Sequence, residues 1–204
     1  MTVIRNIVGV LLAGGLARRM GGGDKCLQKL SGRSLLSYTI EVATDQVSHM
    51  IINANGNSSR FKKFNLPVVP DVVDGAMGPL AGVLTGMEWA TWNVPDCELI
   101  ATFPTDAPFF PDNLVKEMHN NLQTQGADIA CARSNNRNHP VFAIWPTRLA
   151  GDLRQAIMYK NIRKIEQWTS QYKVAHVEWS AVPIDPFFNI NLPEDLKKAE
   201  KYLN

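Results

Sequence analysis

A chain of 204 residues, 45% hydrophobic, with 21 Lys+Arg against 19 Asp+Glu, 14 Gly and 12 Pro, has the composition of an ordinary globular protein. The apolar fraction excludes intrinsic disorder, and no apolar run reaches the roughly 18 residues that a bilayer span needs. A net charge of +2 is far from the dense positive face of a non-specific nucleic-acid binder, so neither nucleic acid nor membrane is expected as a partner. The length fits one domain over residues 1–204. Cys26, Cys97 and Cys131 are widely spaced and contain no CxxC, which suits neither a disulfide framework nor a zinc site and points to a reducing, cytoplasmic setting.

Residues 7–13 (IVGVLLA) form a continuous apolar run ended by Gly14-Gly15, the form of a central parallel strand buried on both faces. The same run, following Arg5, has the outline of a signal-peptide core. Cleavage there would discard the most chemically loaded loop in the chain, so the strand is the preferred reading. Residues 34–47 read as a helix with Leu36, Ile40, Ala43 and Val47 on one stripe. Strands are expected at 50–54 and 68–69, then a helix after Gly78-Pro79 carrying Leu80, Val83, Leu84 and Met87 at i, i+3, i+4, i+7.

Residues 99–103 are strand-like and stop at Pro104, after which Asp112 is placed to cap a helix that buries Leu114, Met118 and Leu122. Strands follow at 128–132, 141–145 and 173–178, and a helix at 193–203 closes the chain. Trp89, Trp92 and the helically spaced methionines read as core or half-buried packing, and Lys62-Lys63 and Lys197-Lys198 as solvated helix faces. The alternation implies βαβ units: an α/β fold in three layers, with a mostly parallel, Rossmann-like sheet. Such sheets bind ligands beyond the carboxyl ends of their strands, at a switch in strand order. Chemistry is therefore expected in the loops after Ala13, Ala54, Val69 and Phe103.

The first of these loops, LAGGLARRMGGGDK at 12–25, combines five glycines with Arg18, Arg19 and Lys25. Glycines let backbone N–H groups turn inward around an anion, and three cations can neutralise a di- or triphosphate. It is not a Walker loop, because Lys25 lies between Asp24 and Cys26, and it contains no GxGxxG. Asp106, in FPTDAPFF, is stiffened by Pro104 and Pro108. It reads either as a holder of a hard cation such as Mg²⁺, which needs only one or two carboxylates beside phosphate oxygens, or as a plain turn residue. Asp71 and Asp74 read either as turn initiators or, through two accepting oxygens, as readers of a guanine edge.

Nucleotidyl transfer to a phosphate acceptor suits this set. The attacking phosphate oxygen is already an anion, so positioning and charge neutralisation suffice without a general base. Lys25 and Arg19 would offset charge on the leaving pyrophosphate.

Taken in order, LAGGLARRMGGGDK, Asn53 in INAN, Asp71 followed by GPLAG at 78–82, PTDAPF, HPVFA at 139–143 and FNINLPEDL at 188–196 resemble the bacterial molybdenum cofactor guanylyltransferases over almost the whole chain. The resemblance implies a nucleotide-diphosphosugar-transferase-like fold and transfer of GMP from GTP to molybdenum-molybdopterin, with Mg²⁺ as cofactor and pyrophosphate released. It implies GTP contacts from Leu12, Ala13, Gly14, Gly15, Lys25, Asn53, Asp71 and Asp106, and the metal on Asp106. Arg19, Lys25 and Asp106 would be catalytic, with Asn189 and Asn191 on the pterin side; His139, a lone His beside Pro140, reads either as a structural residue or as a pterin-side contact. Transient contacts with molybdoenzymes or their chaperones are a further implication. Departures from the family pattern are Cys26, Thr105 and Leu192, the last forfeiting an N-cap hydroxyl unless Asn191 substitutes. The alternatives are a nucleotidyltransferase using CTP on the pterin or an NTP on a sugar phosphate, and a nucleotide-sensing module without transfer. Asp106 argues against the sensing module.

Overall fold

The computed structural model describes residues 6–15, 17, 22–75 and 78–203. In chain order the elements are β1 (Ile7–Leu12), the short hairpin β2 (Lys29–Leu30) and β3 (Arg33–Ser34), α1 (Leu35–Thr44), β4 (His49–Asn53), β5 (Val68–Val69), α2 (Pro79–Asn93), β6 (Leu99–Pro104), α3 (Leu114–Gln125), β7 (Ile129–Ser134), β8 (Arg137–Pro146), α4 (Ala150–Met158), α5 (Ile165–Thr169), β9 (Val174–Trp179) and α6 (Pro193–Glu200). Seven strands make one sheet in the order β5-β4-β1-β6-β8-β7-β9. Pairing is parallel from β5 through β6 and between β7 and β9, and antiparallel where β8 meets β6 and β7.

β1 explains the layering. Ile7 and Leu11 point into one core with Leu36 of α1 and Leu114 and Met118 of α3. Val8 and Val10 point into the other, with α2, Leu153 of α4 and Trp168 of α5. A strand apolar on both faces therefore sits at the middle of three layers. α2 approaches β1 closely because Gly82 and Gly86 stand one turn apart on its sheet side. A Cβ on Gly86 would lie 2.4 Å from Val10 Cγ2, and one on Gly82 would lie 2.4 Å from both Leu12 Cδ2 and Asn53 Oδ1.

β1 is also the switch point. The chain leaves it to build β4 and β5 on one side, then returns along α2 to place β6 on the other. In register, Leu12 stands beside Asn53 of β4 and Pro104 of β6, so three loops leave the sheet at one level. A third small core of Leu30, Leu35, Ile190 and Ala199 clamps the C-terminal segment onto the β2–β3 hairpin, and the Ile190 amide donates to Asp106 O at 2.7 Å. That clamp brings residues 188–192 to the same end of the sheet.

Several expectations are corrected. Asp112 does not cap α3: Asn113 occupies that position with no side-chain cap bond. α1 ends at Thr44 rather than 47, although Ser34 caps it by accepting from the Ser37 amide at 3.2 Å. Trp92 is 85% exposed rather than packed, whereas Trp89 is half-buried. Asn191 does not replace the missing cap hydroxyl of α6. Instead Asp195 Oδ2 accepts the Asn191 and Leu192 amides at 2.9 Å each, satisfying the entry of the helix from within. α4 and α5 lie outside the sequence expectations, whereas Lys62-Lys63, read as a solvated helix face, are exposed on the 3₁₀ turn Ser58–Phe64. Among the described residues no helix is long and apolar enough to cross a membrane.

Candidate active site

The three loops enclose a cleft of about 600 Å³ lined by Leu12, Gly14, Gly15, Lys25, Asn53, Asp71, Asp106, His139 and Asn189 among others. Nine of the residues singled out from the sequence thus meet in one place. Ala13 lies buried behind them, its amide donating to Asn53 O at 2.9 Å. Arg19 falls outside the described residues.

The glycine loop returns on itself. Gly22 and Gly23 adopt φ +91° and +76°, left-handed values that a side chain disfavours, and the Gly22 and Ala17 amides close the turn on Ala17 O and Gly23 O. The turn delivers residues 25–27 as a 3₁₀ helix whose Cys26 is buried. Burial, with Asp24 adding to it, pushes the Cys26 thiol up to about 12, so it packs as a neutral thiol near pH 7. The Lys25 ammonium then reaches Asp106 Oδ2 and Asn191 Oδ1 at 2.5 Å each. Its side chain is 13% exposed and that of Asp106 26%, a setting in which an ion pair is held more firmly than on an open surface.

Asp106 is positioned by its neighbour Thr105. This buried residue, one of the departures from the family pattern, donates its hydroxyl to Leu12 O at 3.1 Å and ties the loop after β6 to the end of β1. Only Oδ2 of Asp106 is engaged among the described residues. A hard cation takes one or two carboxylates plus phosphate oxygens and water, so this donor set fits a nucleotide-bound Mg²⁺. Among the described residues no cluster of three His, Cys, Asp or Glu side chains offers a closed metal site.

The opposite wall is built from amides. Asn53 Nδ2 donates to Asp71 Oδ1 at 2.9 Å and to Val69 O at 3.2 Å. Asn55 Nδ2 donates to Asp71 Oδ2 at 2.8 Å, while Asn55 Oδ1 accepts the Asp71 amide at 2.8 Å. Asp71 is therefore gripped from two sides rather than used to start a turn. Each oxygen keeps accepting capacity for a ligand's N–H groups. Asp74 is exposed and does not line the cleft.

His139 lines the cleft and is buried, 9% exposed. Ser134 Oγ donates to Asp185 Oδ1 at 2.8 Å and lies 2.8 Å from His139 Nε2. The single hydroxyl proton goes to the carboxylate, so Nε2 carries the imidazole proton and Nδ1 remains an acceptor. Burial lowers the His139 pKa below its ordinary 6.5, with Arg137 acting in the same sense and Asp185 and Glu178 against it. The ring packs on Phe187 with centroids 4.7 Å apart.

Sequence reasoning missed Asn55, Thr105 as a tether, Arg137 and Asn138. The last two line the cleft because β8 starts six residues before 143, the first residue to pair with β6. Only their adjacency to HPVFA marked them. β8 also carries residues 140–142 as an irregularity opposite the Cys131–Ala132 step of β7.

Residues 9–176 match the model of the MobA-like NTP transferase domain. The chain is 50% identical over 192 residues to the molybdenum cofactor guanylyltransferase of Rhodopseudomonas palustris (strain BisB5), covering 94% of this chain and 91% of that one. It is 45% identical to the protein of the same name from Bradyrhizobium sp. (strain ORS 278), covering 96% and 92%. The fold is shared with molybdopterin-guanine dinucleotide biosynthesis protein A from Archaeoglobus fulgidus (TM-score 0.73, 21% identity, 97% and 98% covered). It is shared equally with 4-diphosphocytidyl-2C-methyl-D-erythritol synthase from Anaerococcus prevotii (TM-score 0.72, 14% identity, 98% and 96% covered). The matched residues include both walls of the cleft, and the chain belongs to the MobA-like NTP transferase family, among the molybdenum cofactor guanylyltransferases.

Proposed function

We propose that the chain acts as one catalytic unit in molybdenum cofactor biosynthesis, transferring GMP from GTP to molybdenum-molybdopterin. A terminal phosphate oxygen of the pterin attacks the α-phosphorus of GTP. The new P–O bond forms as the bond to the β-phosphate breaks, and pyrophosphate leaves with the electron pair. The observation that carries the reading is the Lys25–Asp106 contact at 2.5 Å, which joins the glycine loop to the loop after β6 beside Asn191.

In this reading the backbone of Leu12, Ala13, Gly14 and Gly15 takes the phosphates, and Asp71, gripped by Asn53, accepts the N–H groups of the guanine edge. Lys25, with Arg19, neutralises charge on the leaving group. Asp106 would hold Mg²⁺, which supplies Lewis-acid charge neutralisation when bound. The Lys25 ammonium, now on Asp106 Oδ2, is within the same cleft and can donate to a phosphate oxygen. Asn189, Asn191 and His139 stand on the acceptor side, where His139 Nδ1 offers an acceptor to a ring N–H of the pterin. The three buried free cysteines suit a reducing cytoplasm.

The test is a thermal-shift panel with GTP, CTP, ATP and dTTP, each with and without Mg²⁺, followed by assay of pyrophosphate release with the pterin. A ligand at about 100 times its dissociation constant stabilises by about 2.7 kcal/mol, well within detection. A GTP-selective shift enlarged by Mg²⁺, together with pterin-dependent pyrophosphate release, is expected. A CTP-selective shift would replace this reading with cytidylyl transfer.

A further inference from the structure

Arg60 sits in the 3₁₀ turn Ser58–Phe64, outside the cleft lining, yet its guanidinium touches residues of two loops at once. Nε lies 2.7 Å from an oxygen, Oδ2, of Asp24, the residue before Lys25, as an ion pair in which the Nε–H is not aligned for a hydrogen bond. Nη2 donates to Asn55 O at 2.7 Å and Nη1 donates to Asn57 O. Cζ stands 4.4 Å above the ring of Phe61, which is fully buried. The Arg60 and Asp24 side chains are only 24% and 20% exposed.

Those contacts link the two walls. Asp24 immediately precedes the ammonium proposed for the phosphates, and Asn55 is the residue whose amide grips Asp71. We propose that Arg60 is a positioning residue for nucleotide: it clasps the glycine loop to the loop after β4, so that Lys25 and Asp71 keep a fixed spacing across the cleft. The identity of the nucleotide rests on the guanylyl-transfer reading; the clasp itself does not. A planar fork with an ion pair, two carbonyls and a ring to satisfy is a role lysine fills only in part.

The test compares the parent with Arg60→Met, which keeps an apolar stem on Phe61, and with Arg60→Lys. Calorimetry is run with GTP, guanosine and ITP, which lacks the 2-amino group. Arg60→Met is expected to weaken GTP roughly tenfold and to lower the GTP-to-ITP preference. KM for GTP rises, while kcat at saturating GTP stays at the parent value. Arg60→Lys restores the pair with Asp24 but not both carbonyl bonds, so it recovers GTP affinity more than base preference. Parent-like GTP affinity and GTP-to-ITP ratio in Arg60→Met would overturn the proposal, even if its melting temperature falls, because a structural prop alone changes stability only. Should the parent itself bind no GTP, the guanylyl reading fails and hydrogen exchange decides the clasp. In Arg60→Met the Lys25 amide, bonded to Gly15 O, and the Asp71 amide, bonded to Asn55 Oδ1, must then exchange faster together. Acceleration of neither, or of one alone, overturns it.

Discussion

Lys25 bridges Asp106 and Asn191 with one ammonium, although they lie 81 and 166 residues further along the chain. The bond to Asp106 crosses from the glycine loop to the loop after β6, and the bond to Asn191 ties both to the C-terminal segment. An ammonium shared this way offsets the Asp106 carboxylate and fixes three distant segments of chain around one point of the cleft.

Lys25→Ala is accordingly expected to weaken GTP by roughly 10- to 100-fold, the value of a charge-assisted contact, while guanosine affinity changes little. Titration calorimetry with both ligands checks this, and an equal loss for both would remove Lys25 from the phosphate site. Asp106→Asn should abolish Mg²⁺-dependent transfer with an unchanged circular dichroism spectrum. Near-parental turnover would sink the metal assignment.

Gly82 allows α2 to approach the Asn53 amide. Gly82→Ala sets a methyl group 2.4 Å from Asn53 Oδ1 and 3.3 Å from its Cγ, and should cost about 1–3 kcal/mol in urea unfolding. It should also weaken nucleotide binding by moving Asn53 off Asp71. Gly86→Ala is the control. Its methyl would meet Val10 and Ile100 instead, so a similar stability loss should leave affinity intact.

The depressed pKa of His139 makes a pH prediction whose sign follows from proton uptake. Burial is the main cause, so the unfolded chain takes a proton as pH falls through 6.5 while the folded chain resists until lower pH. Stability contributed by neutral His139 is therefore complete above 6.5 and declines as pH falls from 6.5 toward the folded value. Urea midpoints across that window should fall more steeply for the parent than for His139→Gln. Parallel slopes would show that Asp185 and Glu178 cancel the burial effect.

Cys26 and Cys131 are pushed up to about 12, chiefly by burial, and Cys97 is raised by the same cause. An aromatic disulfide reagent at pH 8 should react with the native protein far more slowly than with a free thiol, since only roughly one part in ten thousand of a pKa 12 thiol is ionised there. All three thiols should react in denaturant. Rapid native labelling would mean that one of these strands or loops opens readily.

Much of this was legible in the residues. The run at 7–13, read as a strand buried on both faces in preference to a signal-peptide core, is β1, buried apart from its last residue. The stripe on α3 and the Gly78-Pro79 start of α2 were equally readable, because periodicity and backbone chemistry are local properties. The N-terminus of α3 was misread because Asp112 and Asn113 are both eligible caps, and the turn after Pro111 selects between them. α5 escaped notice because five residues carry too little periodicity to be seen.

By itself, the sequence determined the residue chemistry: glycines and a lysine after a central strand, a proline-flanked aspartate, and asparagines near both ends of the cleft. Which of these meet was decided only by the tertiary structure. Parallel pairing of β1 with β4 and β6 brings Leu12, Asn53 and Pro104 level, and the core of Leu30, Leu35, Ile190 and Ala199 draws Asn191 onto Lys25. Burial of apolar surface supplies that force and sheet register supplies the alignment. Neither is a property of a short stretch of chain, so Asn55, Thr105 and Arg60 acquire their roles only when distant loops are held together.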